Sequence, residues 1–162
     1  MTETGSSGSS PRAQNDDRAL AFVVYAMHFV SPFVFGLTSL IGVVIAYVRR
    51  SEADPLLRSH YRFQIRAFWV GFALAMIAAI ALLLGVGVIF WKLAAAVIAD
   101  APADAWSAVS RELDVTFPVA AFVSFIVAGC AWLATAAWMI LSAVVGAVRL
   151  SSGQSIGRQD RV

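Results

Sequence analysis

Three stretches of this chain contain no Asp, Glu, Lys or Arg: residues 19–48, 67–91 and 115–148, of 30, 25 and 34 residues. Together they hold 89 of the 162 positions. Each exceeds the roughly 20 apolar residues that a helix needs to cross a hydrocarbon core about 30 Å thick. Composition agrees: the chain is 60% hydrophobic and 14% charged, with mean hydropathy +0.78, where a soluble domain has roughly 45–50% and about 25%. The sequence therefore predicts an all-α integral membrane protein, a small helical bundle with three hydrophobic segments.

The first segment is too long for a simple crossing, because 30 residues at about 1.5 Å each would make roughly 45 Å of helix. A break is available at Ser31-Pro32-Phe33-Val34-Phe35-Gly36. Pro32 disfavours helical geometry at Ser31 and removes a backbone donor, and Gly36 tolerates a turn. Two arrangements follow: one kinked helix that crosses once, or two short helices, 19–31 and 36–48, forming a hairpin and bringing the bundle to four helices.

Residues 1–18, rich in Gly, Ser and short polar side chains, have no apolar face to bury and read as a disordered tail, with Asp16 or Asp17 capping a helix that starts near Arg18. Residues 49–66 form a basic segment. Within it Asp54-Pro55 is a helix-start signature, and Arg58, Arg62 and Arg66 recur every four residues, so they share one face. Leu56, Phe63 and Phe68 are expected to insert into the membrane from this interfacial helix, while His60 and Gln64, four apart, share a side toward the bundle.

The second span, 67–91, carries Trp69 and Trp91 near its ends, 22 positions or roughly 33 Å of helix apart, which suits indoles at both headgroup levels. Its Gly71, Ala75, Ala79 and Gly85 place small residues where helices can approach closely; the plainer reading is that Ala is common in such helices. Residues 92–114 are an acidic connector, and 115–148 the third span. Residues 150–162 read as a flexible tail.

Lys and Arg number 2 in residues 1–18, 5 in 49–66, 2 in 92–114 and 3 in 149–162. The excess places the basic segment and the C-terminus in the cytoplasm and the acidic connector outside. A hairpin in the first segment fits that rule better than a single crossing, because it also puts the N-terminus inside.

Chemistry is sparse. His28 and His60 are the only histidines and Cys130 the only cysteine; neither His has the neighbours a metal site needs, so no metal or other cofactor is implied. No carboxylate lies inside any apolar run, which argues against ion-coupled carriers and intramembrane hydrolases. His28, Ser39, Ser124, Thr135 and Ser142 are polar groups within spans; Ser and Thr there usually bond to their own helix, and His28 reads as an interhelical hydrogen bonder. The stripe of Arg58, Arg62 and Arg66 suits anionic lipid or an acidic partner, beside its ordinary role as a topological anchor. No nucleic-acid motif is present.

The stretch Ile41-Gly42-Val43-Val44-Ile45-Ala46-Tyr47-Val48-Arg49-Arg50, an acidic loop with Pro55, and Ser59-His60-Tyr61-Arg62-Phe63-Gln64 leading into an aromatic span together resemble the Tic20-like family of small bacterial membrane proteins of unknown function. The resemblance covers roughly residues 18–149. It implies a compact helical membrane protein whose first segment is broken by Pro and Gly and whose termini are cytoplasmic. The functional expectation is a non-enzymatic inner-membrane protein, an accessory or assembly component that packs on lipids and on an unknown membrane protein or a second copy. The alternative is a small channel or translocation component.

Overall fold

In a computed structural model the described residues are 11–99 and 119–156, and they are helical with no strand among them. Four α-helices are described: α1 (Pro11–Val30), α2 (Leu37–Arg49), α3 (Pro55–Ala99) and α4 (Val119–Ser151), with a short 3-10 turn at Ser31–Val34 between the first two.

The first apolar run is a hairpin, not a kinked rod. Pro32 opens the 3-10 turn, Phe35 (φ 52°) and Gly36 (φ 83°) take left-handed backbone conformations, and the Gly36 N–H closes the reversal on Ser31 O at 2.8 Å. Gly36 has no Cβ to resist that geometry. The two helices run antiparallel: Thr38 Oγ1 donates to Met27 O at 2.8 Å, and four residues on Gly42 abuts Val24 and His28. This corrects the expectation of three hydrophobic segments. Two helices, α3 and α4, are long and apolar enough to cross a membrane, with mean hydropathies of 2.8 and 2.1 in their most apolar stretches, whereas α2 is too short.

Other boundaries shift as well. Helix α1 begins at Pro11, so residues 11–18 are helical where a disordered tail was expected; proline suits a first helical position because its missing N–H would be unpaired there anyway. Helix α3 starts at Pro55, as the Asp54-Pro55 pair predicts, and runs unbroken through the basic segment and the second span. It also takes in residues 92–99 of the acidic connector; the rest of that connector lies outside the described residues. Helix α4 ends in a Schellman motif: Gly153 (φ 66°) is left-handed, Gln154 N–H reaches Arg149 O at 2.9 Å and Gly153 N–H reaches Leu150 O at 3.2 Å.

The described residues divide into two compact units, one within Met1–Gly71 and Ala136–Val162, the other within Phe72–Thr135. The first holds a hydrophobic core in which Tyr25, Val43, Leu57, Tyr61, Phe68 and Leu150 come together. Gly71 lies against Met139 and Trp138 there, and Trp138 Nε1 donates to Ala67 O at 2.9 Å. In the second unit, α3 and α4 meet through small side chains: Ala78, Ala81, Ala121 and Ala128 are buried, and Gly85 faces Phe125 and Ser124. The small-residue stripe on α3 therefore departs from the expected fours. Ala75 is half-buried and Ala79 exposed, while 71, 78, 81 and 85 are buried. Steps of four precess around a helix by about 40° each, whereas steps of three and four keep one line.

Candidate functional site

The α2–α3 turn and the first three turns of α3 carry a basic surface. Arg58, Arg62 and Arg66 are all exposed on one face. Arg58 also braces the turn beneath it, its Nη2 donating to Ala53 O at 3.3 Å and Ser51 O at 3.4 Å. Two further cations flank the stripe: Arg50 lies 4.8 Å over the Tyr47 ring, and Arg49 is 3.8 Å from both Asp17 and Glu52. Tyr47 Oη in turn accepts from Trp69 Nε1 at 3.1 Å. Five arginines thus gather around the end of the α1–α2 hairpin opposite its aromatic tip.

Beneath the arginines the same turns of α3 present a polar cluster to the core. His60, Tyr61 and Gln64 are all fully buried. His60 joins three segments: Tyr25 Oη on α1 bonds His60 Nδ1 at 2.9 Å, and His60 Nε2 bonds Gln154 O, just past α4, at 2.9 Å. A carbonyl can only accept, so Nε2 carries the proton and Nδ1 accepts from the Tyr25 hydroxyl; this tautomer follows from the network. The two rings meet edge to face, 6.0 Å between centroids. Gln64 Nε2 donates to Ala21 O at 3.0 Å, Tyr61 Oη to Asp17 O at 3.3 Å, and Ile156 N–H to Ser59 Oγ at 3.1 Å. Residues 154–156 are thereby fixed to α3, where a flexible tail was expected; residues 157–162 lie outside the described residues.

Close packing makes this possible. The face of Tyr25 lies directly on Gly146 of α4, so closely that a Cβ there would fall within contact of ring atoms Cε1 and Cζ. Only glycine admits the ring. The Schellman turn then presents the Gln154 carbonyl to His60, and Arg18 Nη2 donates to Leu150 O at 2.9 Å and Ser151 O at 3.0 Å at the carbonyl end of α4, where Leu150 O also accepts from Gly153 N–H.

The expected site residues are only partly brought together. His60 and Gln64 share the buried side, as their spacing implies, and both face α1. Phe63 and Leu56 are half-buried, but Phe68 is buried in the protein core, not turned outward to insert. His28 departs from its expected role as an interhelical bonder. His28 Nδ1 donates to Val24 O of its own helix at 2.8 Å, and the interhelical bonder is His60. Ser39, Ser124, Thr135 and Ser142 each bond a carbonyl three or four residues earlier. Sequence reasoning missed Tyr25, Arg18 and Gln154. Tyr25 was hidden because its ring counts as hydrophobic in an apolar run, and Gln154 acts through its backbone, which no side-chain pattern reports.

Chemically, the cluster is a clasp. Both His60 nitrogens are occupied by protein partners, and no group of three or more metal-ligating side chains is found among the described residues. The unpartnered buried atoms of this region are His28 Nε2 and Gln64 Oε1. Comparisons with protein-family models, with curated proteins and with solved structures find no match for this chain.

Proposed function

We propose that this chain is a non-enzymatic integral protein of a bacterial inner membrane, an accessory or assembly component whose arginine-rich surface and C-terminus face the cytoplasm. In this reading the chain belongs to the Tic20-like family, which residues 42–64 resemble. One observation carries it: α3 exposes large apolar side chains on consecutive positions. Leu82, Leu83 and Leu84 are 49%, 69% and 60% exposed, and at about 100° per residue they span about 200° of the helix circumference. A water-soluble monomer does not leave so wide an apolar surface uncovered; a bilayer covers it. The hairpin tip agrees, with Phe33 and Phe35 exposed at 70% and 86% at the end opposite the arginines.

The arginine stripe then lies at headgroup level, and the clasp beneath it holds α1, α3 and the end of α4 together, which suits a scaffold more than a catalyst. The test has two arms. After alkaline carbonate extraction the chain should stay with the membranes, and recovery in the soluble fraction refutes the reading. In a Cys130→Ala background, Ser51→Cys should resist an impermeant thiol reagent in intact cells and react once the membrane is opened; labelling in intact cells refutes the cytoplasmic placement.

A further inference from the structure

The α1–α2 hairpin carries charge at one end only. No Asp, Glu, Lys or Arg lies between Arg18 and Arg49, and its two helices are tied together at that end, where Arg49 is 3.8 Å from Asp17. Past Arg18, α1 runs another 12 residues, 19–30, and α2 has 13. At about 1.5 Å per residue either helix reaches roughly 18–20 Å from those charges, short of a hydrocarbon core about 30 Å thick. With its charged end at headgroup level, the hairpin cannot carry its tip to the far surface.

A turn that ends inside hydrocarbon finds no water there, so its polar groups must bond one another. Pro32 has no N–H to satisfy. The Gly36 N–H donates to Ser31 O at 2.8 Å, and Gly36 O accepts from the N–H groups of Ser39 and Leu40 at 3.1 and 3.3 Å and from Ser39 Oγ at 2.7 Å. Thr38 Oγ1 turns back along the hairpin to Met27 O. Ser31 and Ser39 are buried, and the large side chains exposed at the turn are Phe33, Phe35 and Leu37. Turns in water are dominated instead by Gly, Asn, Asp and Ser.

Helix α2 continues this carbon surface toward the charged end. Leu37, Leu40, Ile41, Val44 and Val48 are all exposed, and their spacing of three and four residues puts them on one face. A protein interface surrounds its apolar centre with a polar rim of hydrogen bonds. No side chain of this stripe can supply one, and acyl chains require none.

We infer that the α1–α2 hairpin is a re-entrant element: both helices enter the bilayer from the arginine-bearing side, the chain reverses at Ser31–Gly36 within the hydrocarbon, and the α2 stripe lies against lipid acyl chains. The inference rests on the membrane reading above and goes beyond it, because it puts the start of α1 on the same side as the basic segment and gives the first apolar run a half-crossing.

The test uses the full chain in a Cys130→Ala background, reconstituted into vesicles of phosphatidylcholine and phosphatidylglycerol. A nitroxide is attached at Phe33→Cys, Leu40→Cys, Asn15→Cys or Ser51→Cys, all at exposed positions. Collisions with oxygen, which concentrates in hydrocarbon, should exceed those with a water-soluble nickel chelate at 33 and 40, and the ratio should invert at 15 and 51. In intact cells an impermeant thiol reagent should leave Asn15→Cys and Ser51→Cys alike unlabelled, and both should react once the membrane is opened. Labelling of 15 and 51 from opposite sides would overturn the half-crossing, as would nickel access at 33. Immobilised nitroxides at 33 and 40 that neither reagent reaches would show a protein partner or a second copy on the stripe and overturn the lipid contact. A chain that fails to float with the vesicles overturns the membrane reading itself, whereas an inserted chain with its tip in water overturns only the hairpin.

Discussion

Substituting Gly146 by alanine is the sharpest test of the clasp, because a single methyl group is set against a rigid ring. The added Cβ would fall on Cε1 and Cζ of Tyr25 and 2.6 Å from its hydroxyl oxygen, closer than atoms pack. A tyrosine ring cannot bend, so it must swing from Gly146 and draw its hydroxyl from His60. Overpacking of this kind costs about 1–3 kcal/mol. Leaving His60 Nδ1 buried without its donor adds about 1–3 kcal/mol. Against this, Ala gains about 1 kcal/mol over Gly in a helix interior, so the net loss is about 1–5 kcal/mol. Unfolding of the purified chain in mild detergent, followed by circular dichroism against added denaturing detergent, measures it. Two glycines serve as internal standards. Gly87 has open space where its Cβ would go, so Gly87→Ala should be neutral or stabilising. Gly71→Ala meets Met139 Sδ at 2.6 Å, but a thioether can turn aside, and the cost should stay below that at Gly146. Tyr25→Ala combined with Gly146→Ala should cost less than the sum of the two single changes, since the ring that clashes is gone. Equal stability of the Gly146→Ala and Gly87→Ala proteins, or strict additivity in the double variant, refutes the reasoning.

Two further outcomes follow. Tyr25→Phe keeps the ring on Gly146 and removes only the hydroxyl, so it should destabilise by about 1–3 kcal/mol in the same titration; a value near zero would show that the Tyr25–His60 bond carries no net stability. Arg62→Gln with Arg66→Gln should weaken retention by anionic vesicles by about 2 kcal/mol without altering detergent stability, whereas Arg58→Gln should in addition loosen the α2–α3 turn, because Arg58 braces two of its carbonyls. Unchanged retention in the Arg62/Arg66 variant, read by vesicle flotation, would leave an acidic protein partner as the role of that stripe.

What was legible in the sequence were features written in local chemistry. Pro32 and Gly36 announce the hairpin, since one removes a donor and the other accepts a positive φ; Asp54-Pro55 announces the start of α3; the spacing of His60 and Gln64 puts them on one side of it. The polar side of the candidate site was harder to see, for a physical reason. In an apolar run a tyrosine scores by its ring, yet a single hydroxyl decides where it must point once water is absent. A backbone carbonyl such as that of Gln154 leaves no trace in composition at all.

The same reasoning explains why the two histidines could be found but not assigned. A His within an apolar run needs partners for its ring nitrogens, and the nearest carbonyl four residues back on its own helix is always available; His28 takes that option and bonds Val24. His60 bonds outward, to Tyr25 on α1 and to Gln154 beyond α4. Which option wins depends on whether another helix can come within reach, and that is set by Gly146, 86 positions away in the sequence. Because its missing side chain lets Tyr25 lie against α4, the hydroxyl arrives at His60 and the three segments close on one imidazole. The decisive residue at the clasp is thus one with no chemistry of its own, and no local pattern around His60 could have pointed to it.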